Sequence, residues 1–263
     1  MNEPAKPTIV PRGRYQGVLQ IFRYNWPYYA FAAPAGLLGL GVVALAPIPT
    51  VPKVLIALGS SCVIAGAITS LVVSHYIYDL SPLCQRRWIV ETLPERPKHW
   101  VNIHAGLDET SGALARLFPE ARAKVWEIYD PAAMTEPSIA RARRLASCEG
   151  AATHVDFRRL PLQDCACDTI FVIFTAHELR SAQARLRFFK ELHRVLKPQG
   201  HLLLVEHLRD LKNLLAFGPG FLHFYPRREW VLLANEAEFA IAKEFNMTPF
   251  VKVFLLVRPA ESA

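Results

Sequence analysis

Two stretches of this chain carry apolar side chains on every face. Tyr28–Ala46 and Val54–Tyr78 contain no Asp, Glu, Lys or Arg. A helix without a polar face suits a buried or lipid-facing position, and a bilayer core of roughly 30 Å needs about 20 apolar residues to be crossed. Only Pro47-Ile48-Pro49-Thr50-Val51-Pro52-Lys53 separates the two stretches. The pattern therefore predicts a transmembrane helical hairpin over residues 27–78, which enters and leaves on the same side. A buried hairpin in a soluble protein is the alternative. Cys62, Gly66 and Ser70, with Ala35 and Gly39, place small residues four apart, where two spans can approach closely.

Beyond the spans the periodicity changes. Residues 79–98 hold Pro82, Pro94 and Pro97 and read as a linker with a short amphipathic helix near Arg86–Thr92. From 99 to 263 strands and helices alternate. Strands are expected at Trp100–His104, Lys124–Ile128, His154–Asp156, Thr169–Thr175, His201–Glu206, Phe239–Phe245 and Lys252–Val257. Helices are expected after the first strand through Leu117, and at Glu136–Leu145, Ala182–Leu196 and Arg227–Glu236. The run TIFVIFT is apolar throughout, as in a strand covered on both faces. Such alternation implies an α/β fold: a doubly wound, mostly parallel seven-stranded sheet preceded by the transmembrane hairpin.

Charge adds an orientation. Lys6, Arg12, Arg14 and Arg23 precede the first span, Arg86 and Arg87 follow the second, and Lys53 alone marks the hairpin tip. Basic residues collect on the cytoplasmic side, so the basic N-terminal segment (1–26) and the α/β domain are expected there, on a two-pass membrane protein. A cleaved signal peptide fits poorly, because the first apolar stretch starts late and a second follows at once. The formal charge of +7 suits an anionic leaflet. No arginine-rich run interleaved with aromatics points to nucleic acid. Five cysteines, one of them within a span, fit a reducing compartment; Cys165-Ala166-Cys167 has the wrong spacing for a zinc knuckle, so no metal is expected.

Four segments in order carry a resemblance. Asp156-Phe157-Arg158-Arg159-Leu160-Pro161-Leu162, Asp168–Thr175 with Ala176-His177-Glu178-Leu179, Glu191–Gly200 (ELHRVLKPQG) and Leu203–His207 resemble the successive motifs of class I S-adenosylmethionine-dependent methyltransferases of the quinone and small-molecule group. The resemblance implies a Rossmann-like domain and S-adenosylmethionine as cofactor. The glycine-rich turn after the first strand departs from the family pattern: Asn102-Ile103-His104-Ala105-Gly106-Leu107-Asp108 retains one glycine. His104 and Asp108 then reshape the loop or touch the cofactor, with helix capping an equal alternative for Asp108. By the same resemblance Glu127 would receive the ribose hydroxyls, with Asp130 its competitor. Asp156 would read the adenine amine, and the backbone of Phe157 would meet the ring.

Methyl transfer asks mainly for alignment and desolvation, and a general base only for an acceptor with a proton to lose. In a doubly wound sheet the strand ends face the ligand crevice. Among groups there, His207 is the first candidate base and His177 the second, with Glu178, His223 and Tyr225 nearby. The apolar loop Leu211–Tyr225, with Gly218-Pro219-Gly220 as hinge, would lie over the acceptor site or pack on the sheet. Anchor and loop together suggest a small hydrophobic or lipid-borne substrate. The rival reading is a catalytically silent membrane adaptor built on the same fold. Neither the acceptor nor the oligomeric state is legible.

Overall fold

A computed structural model describes residues 13–145 and 152–260. Its centre is a seven-stranded sheet formed by β1 (His99–His104), β2 (Arg122–Glu127), β3 (Thr153–His154), β4 (Cys167–Ile173), β5 (Leu196–His207), β6 (Ala240–Thr248) and β7 (Val251–Val257). The strand order is β3-β2-β1-β4-β5-β7-β6. All neighbours run parallel except β7, which is antiparallel to both β5 and β6. This is the expected α/β, mostly parallel, doubly wound sheet. The order turns at β1 and β4, and the crevice outside their carboxyl ends is where such sheets take ligands.

Composition explains the placement. Ile170, Phe171 and Val172 of β4 and Leu202, Leu203 and Val205 of β5 are wholly buried, because layers cover both faces. One layer is built on α8 (Ala182–Val195) and α10 (Arg227–Glu236), which contribute Phe188, Phe189, Leu192 and Trp230. The other combines Trp100, Phe171 and Leu203 with Leu114 of α6 (Ser111–Leu117), and with Leu83, Trp88 and Ile89 from the region expected to be a linker. That region forms two short helices, α4 (Pro82–Gln85) and α5 (Trp88–Thr92), the second starting later than the sequence suggests because Arg86 takes a left-handed turn at φ 56°. β5 begins early, at Leu196: Gln199, at φ 61°, lets Pro198-Gln199-Gly200 enter the strand, and its N–H donates to the Arg258 carbonyl at 2.8 Å.

The apolar stretches form two long helices, Trp26–Leu45 (α2) and Thr50–His75 (α3), the second extended by a wider turn at Tyr76–Leu80. Gly36 and Gly39 of α2 sit against Ile64 and Ser60 of α3, where a Cβ on Gly39 would collide with the Ser60 hydroxyl. Gly39 thus plays the part its spacing suggests. Ser70 does more than permit approach, since its hydroxyl shares a 3.0 Å hydrogen bond with that of Tyr29.

An element absent from the sequence reading precedes them. The segment expected to be a basic tail contains α1 (Gln16–Tyr24), which packs on α3 and on α7 (Pro137–Leu145) of the α/β domain. Lys6 and Arg12 lie outside the described residues. Asp79, just past α3, accepts from the first amides of α1, Gly17 N–H at 2.6 Å and Val18 N–H at 3.0 Å, while His75 Nδ1 lies 2.9 Å from the same carboxylate. A carboxylate at a helix start satisfies orphan donors and complements the dipole. Arg141 closes the other end through a hydrogen bond from Nε to the Tyr24 carbonyl. Replacing Asp79 by Ala removes a cap of about 1 kcal/mol, so amide exchange over 16–24 is expected to accelerate roughly fivefold while the strands keep their protection. Unchanged exchange at Gly17 and Val18 would show that α1 is held by packing alone.

Candidate active site

At the carboxyl ends of β1, β4 and β5 lies a cavity of about 410 Å³. Ala105, Leu107, Glu109, Thr175, His177 and Glu178 line it from the α/β domain, and Gly17, Ile21, Tyr24, Tyr28, Tyr29 and Tyr78 from the N-terminal helices. The tyrosines and α1 escaped the sequence reading, which placed these residues in the hairpin or the basic N-terminal segment. The only signal was that α1 keeps its polar residues to one face of a helical turn. Phe217, Gly220, His223 and Phe224 close a further side. They belong to the expected loop, which is in fact ordered as α9 (Leu211–Phe217) and a tight turn, Gly218–His223. Asp210 starts α9 by accepting from the Asn213 N–H at 2.9 Å.

The histidine ranked first as a base is not available as one. His207 Nδ1–H donates to the Phe250 carbonyl at 2.9 Å, which leaves Nε2 to accept from the Tyr78 hydroxyl at 2.6 Å. Its ring is stacked between Phe174 and Phe224, at centroid distances of 4.9 and 4.7 Å. Burial pushes its pKa down to about 3, so it is a neutral link between the hairpin and β5. Tyr225 is also corrected: it is absent from the cavity lining, its hydroxyl donates to the Arg180 carbonyl at 3.1 Å, and Arg185 lies 3.7 Å over its ring.

His177 does face the cavity, in a short turn Ala176–Glu178 after β4. Nδ1–H donates to Glu206 Oε2 at 2.6 Å, and Glu206 also accepts from the backbone N–H of Ala176 (3.0 Å) and His177 (3.3 Å). Nε2 lies 3.4 Å from Glu178 Oε1. Burial opposes charge on this ring, but the Glu206 and Glu178 carboxylates outweigh it and raise the His177 pKa. Glu178, also penalised by burial, is held well below the ordinary carboxylate range by His177 and His223.

The loop after β1 and the end of β2 have a different character. Gly106 adopts φ +116°, a conformation side chains rarely tolerate. A Cβ there would lie 2.6 Å from Arg143 Cγ. Arg143 reaches over this glycine from α7, pairs with Glu127 and stacks 4.0 Å over Tyr129. Glu127 ends β2 in register with His104. Its carboxylate is therefore paired with the Arg143 guanidinium, a donor whose place the hydroxyls of a ribose could take. The donor set fits an adenosyl group, provided Arg143 withdraws. Asp130, the competitor, is bound to Arg158 at 2.8 Å.

Two of the other residues singled out in that loop are occupied. Asp108 Oδ1 accepts from the Thr110 and Ser111 N–H (3.0 and 2.9 Å) and from Asn102 Nδ2 at 3.3 Å, so it caps α6. His104 Nδ1 accepts from the Gly106 N–H at 3.1 Å, shaping the loop from within, and burial lowers its pKa. Asp156 turns back to the Arg158 N–H at 2.8 Å, and the Phe157 ring is buried in the core.

Against known proteins, residues 110–204 match a family described as a methyltransferase domain. The match begins after the altered glycine turn. A ubiquinone/menaquinone biosynthesis C-methyltransferase of Rubrivivax gelatinosus is 30% identical over 151 residues, covering 53% of this chain and 54% of that protein. The chain thus spans about half the length of that relative. Among solved structures, a SAM-dependent methyltransferase from Aquifex aeolicus shares 19% identity at a TM-score of 0.52, over 73% of this chain and 98% of that one. Human N-acetylserotonin methyltransferase in complex with SAM shares 13% at a TM-score of 0.54, over 94% and 71%. These structural likenesses establish the fold.

The raised His177 pKa has a consequence for stability in metal-free protein. Its contribution is fully present below the ordinary imidazole range and is lost as pH climbs through the raised value. Thermal unfolding followed across neutral to alkaline pH is expected to show that decline. Glu206→Gln, which removes the charge and keeps the shape, should flatten it; an equally steep decline in the variant would contradict the assignment.

Proposed function

We propose that this chain, whose domain belongs to the class I S-adenosylmethionine-dependent methyltransferases, transfers a methyl group to a small hydrophobic or membrane-borne acceptor. The observation that carries this reading is the cavity itself. It opens at the strand ends where the fold takes its ligands, and the N-terminal helices supply about a third of its lining. Glu127, with Gly106 beneath it, would hold the adenosyl part; Asp156 and the backbone of Phe157 would border the base. S-adenosylmethionine supplies a sulfonium-bound methyl that needs an aligned acceptor and little else. Alignment and exclusion of water fall to the tyrosines, Phe217 and Phe224, and the polar side of the acceptor would meet His177, Glu178 and His223.

Membrane placement is supported by the two long helices. In their most apolar windows only 17% and 11% of residues are buried, whereas a core helix of a soluble protein would hide most of them. Phe31, Leu38, Leu45 and Leu58 all point outward. Arg14, Arg23, Arg86 and Arg87 lie toward the end of the hairpin that carries the domain, and Lys53 lies at its tip, which supports a cytoplasmic domain. The relative named for ubiquinone and menaquinone biosynthesis supports an acceptor that is hydrophobic.

The silent-adaptor reading has one observation in its favour, the Arg143 side chain on Glu127. Calorimetric titration of the intact chain with S-adenosylmethionine separates the two. Micromolar binding is expected, weakened about tenfold or more in Glu127→Ala by the loss of a charge-assisted hydrogen-bond pair. Arg143→Ala should tighten it, because a competing donor is gone. No heat from either wild type or Arg143→Ala would leave the adaptor; unchanged affinity in Glu127→Ala would move the ribose role to Asp130.

A further inference from the structure

The wall of the cavity holds a constellation that methyl transfer alone does not call for. His177 and His223 come from different turns, and their rings meet edge to face with centroids 4.8 Å apart. His177 Nε2 lies 3.4 Å and His223 Nε2 3.6 Å from the same atom, Glu178 Oε1. Each ring is backed on its other nitrogen by a second carboxylate. Glu206 Oε2 is 2.6 Å from His177 Nδ1, and Glu136 Oε1 is 3.4 Å from His223 Nδ1. Arg180 Nε in turn stands 3.3 Å from that Glu136 oxygen, holding it in place.

We propose that His177 Nε2, Glu178 and His223 Nε2 bind a divalent first-row transition metal ion, with Glu206 and Glu136 orienting the two imidazoles. Three arguments meet here. Ligand atoms about 2.1 Å from a tetrahedral ion are about 3.4 Å from one another, close to the two separations from Glu178 Oε1, and all three ligand atoms lie within 4.8 Å of one another. Imidazoles that ligate metals usually donate their other N–H to a carboxylate, which fixes the tautomer and leaves the ligating lone pair forward; the His177 ring has that hydrogen bond, and His223 Nδ1 has the Glu136 carboxylate 3.4 Å away as its nearest candidate. Finally, the Glu178 side chain is only 9% exposed, and its Oε2 is buried without a hydrogen-bond partner. Such an atom is costly to leave unmet, and a cation held by both oxygens of the Glu178 carboxylate would satisfy it. Two imidazoles favour zinc, iron, cobalt or nickel over magnesium or calcium, which prefer all-oxygen sites.

All three ligands line the cavity, so a fourth position on the ion opens into it. Three protein ligands with an open position are the arrangement of a working rather than a structural site. In the methyltransferase reading, on which this last point alone rests, the acceptor would present an oxygen donor to the ion.

The test uses the tag-free full chain in detergent, stripped with chelator and titrated with Co²⁺ in the absence of S-adenosylmethionine. Visible absorption is expected to saturate at one equivalent with micromolar affinity. His223→Ala and Glu178→Gln should each abolish the band, and Glu206→Gln should weaken binding by about 10–100-fold as an outer partner does. No band up to millimolar cobalt, or a band undiminished in both ligand variants, overturns the site. Should the variants fail to fold, wild-type stoichiometry decides: one ion supports it and none refutes it. Because no cofactor is present, a metal-binding protein that ignores S-adenosylmethionine would sink the methyltransferase reading and leave this one standing.

Discussion

Glu206 is a fully buried carboxylate at the end of the central strand β5, in a position where it must find every partner inside the protein. It takes two backbone N–H groups from the turn after β4 and one from the His177 ring. A buried carboxylate deprived of such partners costs several kcal/mol, so the turn Ala176–Glu178 has little freedom to take another shape. The geometry of the cavity wall follows. His177 is aimed at Glu178, Glu178 is brought beside His223, and the neighbouring residue His207 is turned the other way, to link Phe250 with Tyr78.

That link ties the α/β domain to the hairpin. Tyr78 bonds His207 across 129 residues of sequence, Asp79 caps α1, and α1 leans on α7. The same helix α7 carries Arg143, which holds Glu127. The N-terminal helices and the proposed nucleoside site are thus mechanically adjacent. At the proposed site, cofactor entry would need a change at Arg143, and α7 is the element through which the N-terminal helices would feel it.

The fold was legible because its signals are local. TIFVIFT and HLLLVE are long enough and apolar enough to be central strands in any context, and Arg227–Glu236 appears as a helix with the bounds the periodicity suggests. What escaped was set by contacts distant in sequence. Nothing in Gln16–Tyr24 announces that Asp79 will cap it. Nothing around His207 reveals that both of its nitrogens are already engaged, by Phe250 and Tyr78. Glu127 could be placed by counting along a familiar pattern, but its partner Arg143 follows on a helix whose neighbours the count does not supply. His177, Glu178 and His223 were visible as separate polar residues near strand ends; that two of them share one carboxylate oxygen is a fact of folding, since 45 residues divide Glu178 from His223.

The account stands on a methyl donor and an acceptor meeting in a chamber to which the N-terminal helices contribute about a third of the lining. The most direct measurement supplies the intact chain, reconstituted in bilayer discs carrying a bacterial lipid extract, with S-adenosylmethionine labelled in its methyl group. Label is then followed into the organic-extractable fraction. The account predicts enzyme-dependent transfer into that fraction, lost when Tyr78 and Glu127 are both replaced. Cofactor that binds with no label moving to any lipid-soluble compound, while water-soluble acceptors are methylated freely, would contradict it.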